Sequence, residues 1–128
     1  MVRTAAMLVI MEDLAPDITR QRLLVEGFFT IDVDEEVIRA YFERITSELQ
    51  LRTYGAPTIF APEGDGRAEN QGYDAFVPLI DSGISLYVWS GPRFVSVIIF
   101  TCKHFDSRTA VRVTREYFQC SQVVSRDF

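Results

Sequence analysis

The side chains best suited to covalent or acid–base chemistry are few, because one histidine, one lysine and two cysteines stand among 18 acidic residues and 12 arginines. Three of the four are consecutive, as Cys102-Lys103-His104. On a strand, Cys102 and His104 are two positions apart and project to one face, where a neutral imidazole could lower the thiol pKa. The plainer alternatives are a small buried apolar cysteine and a solvent-facing histidine at a strand end. Lys103 is the only side-chain amine available for a Schiff base. A metal at this tripeptide would have to complete its shell with carboxylates, so no metal is expected. Upstream, Asp81-Ser82-Gly83 separates two apolar runs. By itself it is ordinary turn chemistry, since Gly tolerates positive φ and Asp or Ser bonds the local backbone.

Several elements must position these groups. Residues 1–21 read as an extension, with a strand at Met7 to Met11 and a turn at Pro16 that could open a short helix. RLLVEGFFTI, from Arg22 to Ile31, is β-prone, and Asp32 with Glu35 three residues later forms a capping-box-like helix start. Val37, Ile38, Tyr41, Phe42, Ile45 and Leu49 then recur at helical spacing, opposite a charged face. PTIFAP reads as a strand and EGDGRAENQG as a polar loop. Three further strands are predicted at about Tyr73–Ile80, Ile84–Trp89 and Phe94–Lys103, with short turns that imply antiparallel neighbours. A second helix starts at Asp106 or Ser107 and carries Ala110, Val111, Tyr117 and Phe118 on its apolar side.

In the third of these strands, Val95, Val97 and Ile99 alternate with Phe94, Ile98 and Phe100, so both faces are apolar. The expected fold is α/β of the α+β kind: a two-layer sandwich, mainly antiparallel, with two helices on one face of the sheet. Residues 22–128 form the single domain. The second face then needs a partner, and a homodimer packed sheet against sheet is expected.

Composition narrows the function. A chain of 128 residues, 48% hydrophobic, can bury a real core. No apolar run reaches the ~18 residues of a membrane span, so no membrane partner is expected. MVRTAAMLVI is followed by Met11-Glu12-Asp13 instead of a small-residue cleavage site, which argues against export. With only Cys102 and Cys120, a reducing cytoplasm is expected. Net charge is −5 and the basic residues are scattered, so nucleic acid is a poor partner.

The segment from Asp81 to Phe105, DSGISLYVWSGPRFVSVIIFTCKHF, resembles without gaps the central region of the bacterial S-adenosylmethionine decarboxylases. The likeness lies in Ser82 at a strand junction, Ser85, Trp89 and Phe100-Thr101-Cys102. A weaker similarity upstream, in RLLVEGFF, puts Glu26 where the family has an acidic substrate-site residue. The resemblance implies self-cleavage before Ser82 by an N-to-O acyl shift, leaving a pyruvoyl group as electron sink. It implies Cys102 as proton donor to the decarboxylated carbon and aromatic rings stacked on adenine, a use open to Phe28, Phe29 and Phe94, which otherwise read as core. Asp81 and Trp89 complete the expected substrate site.

The chain departs from the family at the processing residues. Gly83 follows the serine where the family has histidine, Tyr87 replaces a second histidine, Asp74 replaces a helper serine, and Ser90-Gly91 replaces Pro-Glu. A tyrosine phenol, ordinarily titrating at ~10, is a poor base at neutral pH, so Tyr87 is read as an acid or hydrogen-bond donor. His104 is a candidate substitute for the lost histidine. The leading expectation is therefore a small-molecule enzyme that binds S-adenosylmethionine or a related amino-acid substrate, without self-processing and so without pyruvoyl. Its candidate catalytic residues are Ser82, Cys102, Tyr87, His104 and Asp74. The alternatives are a pyruvoyl-dependent decarboxylase of S-adenosylmethionine, serving polyamine biosynthesis, or of arginine or ornithine, and a non-catalytic regulatory homologue.

Overall fold

The computed structural model describes residues 11–61 and 71–128. Its elements in chain order are β1 (Gln21–Phe28), α1 (Glu35–Glu48), β2 (Thr58–Phe60), β3 (Gly72–Leu79), β4 (Ser82–Trp89), β5 (Phe94–Thr101), α2 (Ser107–Phe118) and β6 (Gln122–Asp127). The strands form one antiparallel sheet in the order β2-β3-β4-β5-β1-β6.

Alternation along each strand sorts the sheet into two faces. Leu23 and Val25 of β1, Ala75, Val77 and Leu79 of β3, Ile84, Leu86 and Val88 of β4, and Val95, Val97 and Ile99 of β5 are all buried. The helices cover them with Ile38, Tyr41, Phe42 and Ile45 from α1 and Ala110, Val113 and Phe118 from α2. The opposite face carries Leu24, Glu26, Phe28, Asp74, Phe76, Tyr87, Trp89, Phe94, Ile98 and Phe100, and no described element lies over it. The predicted two-layer α+β sandwich, with both helices on one face, is what the chain forms.

The two helices are locked together by a polar contact inside the apolar layer. Thr114 Oγ1 donates to Ala110 C=O at 2.8 Å, so its lone pairs are left to accept from the Tyr41 hydroxyl at 2.7 Å. Tyr41 is fully buried, and burial pushes its phenol pKa well above the ordinary value. Its ring packs 4.8 Å from that of Phe118.

Some boundaries differ from the sequence reading. Asp34, not Asp32, caps α1, accepting from the Val37 N–H at 2.9 Å, and Asp32 instead faces Arg93 at 3.3 Å. The cap must lie three residues before the amide it satisfies, and the helix begins one half-turn later than the Asp32 pattern implies. β1 ends at Phe28, because the Phe29 N–H turns to the carbonyl of Arg93. Pro16 lies in a turn and opens no helix; residues 7–10 of the predicted first strand, and most of the 63–72 loop, lie outside the described residues. β6 was not expected at all. Asp106 does cap α2, accepting from Arg108 and Thr109 at 2.9 and 3.3 Å.

Replacing Tyr41 by Phe removes one buried donor while Thr114 keeps its bond to Ala110. The expected cost is about 1 kcal/mol, read as a lower urea midpoint at unchanged slope.

Candidate functional site

The register lays the uncovered face out in rows that cross the strands. In one row Asp74 pairs with Tyr87, Tyr87 with Ser96, and Ser96 with Glu26. In the next, Trp89 pairs with Phe94 and Phe94 with Phe28. Three inter-strand steps separate the carboxylates of the first row, so Asp74 and Glu26 bracket Tyr87 and Ser96 over about 14 Å. Glu26 is held in place by Ser96, whose hydroxyl donates to Oε2 at 2.9 Å. The aromatic row is continuous: Trp89 and Phe94 centroids lie 5.5 Å apart, and Phe94 and Phe28 lie 5.4 Å apart. A cavity of about 60 Å³ beside Glu26, Phe28 and Phe94 reaches these rows. Wider clefts of about 690 and 480 Å³ open elsewhere and contain none of these side chains. A flat sheet face offers little enclosed volume until a second surface covers it.

Four of the predicted site residues thus fall into two adjacent rows with Phe28 and Phe94, whereas Phe29, read with them, is buried in the core against Phe118. Ser96 was missed. Its signal was present, as the one polar position in the outward run Phe94, Ser96, Ile98, Phe100.

Ser82 and Cys102 form a separate cluster at the other end of the strands. Ser82 lies five residues before Tyr87 along β4, about 16 Å away. Its backbone has φ 143°, which L side chains rarely adopt. Its Oγ is 3.4 Å from Cys102 Sγ, and the Cys102 N–H donates to the carbonyl of Asp81 at 2.8 Å. The chain therefore keeps a strained serine whose preceding carbonyl is polarised by a backbone donor. Among the described residues, the Cys102 thiol is the only hydrogen-bond partner of the Ser82 hydroxyl.

His104 does not join them. β5 ends at Thr101 and the chain bends at Cys102 and Lys103, so the alternation that would align Cys102 with His104 has already stopped. His104 lines the 690 Å³ cleft with Gln21, Glu48 and Asp106. Lys103 Nζ donates to the carbonyl of Gln50 at 3.2 Å.

Gly83 has a specific neighbour. A Cβ built there would stand 2.5 Å from the ring of Phe76 on β3, so the ring fills the space a side chain at this position would enter. Gly83→Ala must displace the ring, and is expected to cost about 1 kcal/mol in the native background. In a Phe76→Ala background the same change should be nearly neutral, a coupling that a double-mutant cycle in urea measures.

The family profile described as S-adenosylmethionine decarboxylase matches residues 29–128, starting just after the strand that carries Glu26 and Phe28. Comparison with curated proteins finds no match. Among solved structures, the chain is similar to the crystal structure of the adenosylmethionine decarboxylase from Aquifex aeolicus VF5, with TM-score 0.65 and 18% identity, over 87% of this chain and 89% of that one. The profile spans most of the sequence and the solved structure shares the sheet-and-two-helix fold, so the chain belongs to the S-adenosylmethionine decarboxylase family.

Proposed function

We propose that the chain is an enzyme that binds S-adenosylmethionine, or a related amino-acid cation, on the uncovered sheet face and acts on it without forming pyruvoyl. The observation that carries this reading is the Asp74-Tyr87-Ser96-Glu26 row lying beside the Trp89-Phe94-Phe28 row. S-Adenosylmethionine has a sulfonium, an ammonium and a flat adenine. Carboxylates attract the two cations, and aromatic faces accept both the adenine and the sulfonium. Tyr87 supplies a hydrogen-bond donor between the carboxylates. A second copy packed sheet against sheet would exclude water from the rows and strengthen each of these interactions.

The residues at the strand junction do not fit pyruvoyl formation. The shift needs Ser82 Oγ to attack the Asp81 carbonyl carbon while a base takes its proton. The backbone strain and polarised carbonyl suit the attack, but no carboxylate or imidazole among the described residues bonds the hydroxyl.

Chemistry without pyruvoyl uses the substrate's own reactivity. A sulfonium leaves as a neutral thioether when the substrate's carboxylate or amine attacks the adjacent carbon, so neither oxidant nor co-reactant is required. The protein contributes orientation and charge. That step closes a ring on the attacked carbon, a lactone from the carboxylate or a cyclic amine from the amine, and releases the thioether.

Intact mass spectrometry of the purified protein should give one species near 14.6 kDa. Calorimetry should show S-adenosylmethionine binding that Glu26→Gln weakens by about tenfold, since one charge-assisted contact is lost while the Ser96 bond persists. Ser82→Ala should retain turnover. Two fragments divided between Asp81 and Ser82 would overturn this reading in favour of a pyruvoyl-dependent decarboxylase. Binding without turnover, together with activation of a partner protein, would replace it with a regulatory role.

A further inference from the structure

The charge of this chain is unevenly placed. It is acidic overall, with net charge −5, yet four of its twelve arginines line one groove between α2 and β6. Arg108, Arg112 and Arg115 stand at spacings of four and three along α2, on one helix face, whereas Arg126 of the edge strand pairs with Leu24 and so belongs to the other face of the sheet. Ser107 and Ser125 add hydroxyls to the lining. Arg112 is shared with Glu48 at 3.9 Å and Glu116 at 3.4 Å. Arg108, Arg115 and Arg126 have no ion-pair partner among the described residues. The only carboxylate side chain in the lining is Asp127, 3.4 Å from the Ser107 hydroxyl at one end.

Like charges at helical spacings of three and four repel; Glu48 and Glu116 offset Arg112, whereas Arg108 and Arg115 lack such a partner among the described residues. The row spans about 10 Å, and the groove is an open one of about 480 Å³, wide enough for a small ligand. Guanidinium groups present fixed forks that match phosphate oxygens bidentately, and long side chains spaced a turn apart can converge on neighbouring phosphates.

We propose that this groove binds a small molecule bearing two or more linked phosphates, held by Arg108, Arg112 and Arg115. The groove lies on the helix side of the sheet, away from the Asp74-Tyr87-Ser96-Glu26 row, so the two sites are independent.

The test is calorimetric titration of the intact chain with inorganic tripolyphosphate at fixed ionic strength. Saturable one-to-one binding is expected, weakened at least about tenfold in Arg108→Gln/Arg115→Gln. An unchanged urea midpoint shows that this variant is folded. Arg108→Lys/Arg115→Lys, which keeps the charge and loses the fork, should bind with intermediate affinity and guards against a folding defect in the first variant. Glu26→Gln should bind tripolyphosphate as the native chain does. Absence of saturable binding, equal affinity in the Gln double variant, or displacement of tripolyphosphate by an acidic peptide at lower concentration would each overturn the proposal.

Discussion

The register of β4 against β5, with Leu86 opposite Val97 and Tyr87 opposite Ser96, governs what every residue of the sheet can do. Successive side chains point to opposite faces, so a slip of one residue would send Leu86 and Val88 outward and carry Tyr87 and Trp89 under the helices. The apolar set of α1 and α2 opposes that slip, because Tyr41, Phe42 and Phe118 share one buried core with Ile84, Leu86, Val97 and Ile99. The same packing therefore builds the core and aligns the polar row on the other side. Glu26 meets Ser96 only because β1 is held against β5 in the same frame.

Much of this was legible in the sequence where period and punctuation agree. The apolar stripe of α1, the start of α2 at Asp106 and the alternation within β4 and β5 all follow from local pattern. What escaped the reading depends on tertiary partners. QVVSRD in β6 has only two adjacent valines to mark it, and it is a strand because β1 offers an open edge from Leu23 to Phe28. The cap of α1 moved from Asp32 to Asp34 because Arg93, distant in sequence, draws on Asp32 and on the carbonyl of Ile31. His104 was paired with Cys102 on the assumption that β5 continues through both, whereas the chain leaves the sheet at Thr101. Asp74, Tyr87, Trp89 and Glu26 entered the candidate site through family resemblance, and only the strand pairing places them side by side.

The junction at Ser82 and the row at Tyr87 behave as separable parts of the scaffold. One stores backbone strain beside a thiol, and the other gathers charge and aromatic surface. Phe76 stands between them in the same sheet, with its ring over Gly83. Substitutions at the junction can thus accumulate while the row keeps its geometry, because the two share strands but no side-chain contact.

The sheet's two edges are unequal. β2 pairs over only three residues, whereas β6 runs for six, exposed along most of its length. Short edges resist strand addition and longer ones invite it, with charged residues such as Arg126 and Asp127 as a deterrent. Among the described residues, lateral growth of this sheet into a longer ribbon would find more backbone to pair with at β6 than at β2, and it would leave the face bearing Glu26 and Tyr87 undisturbed.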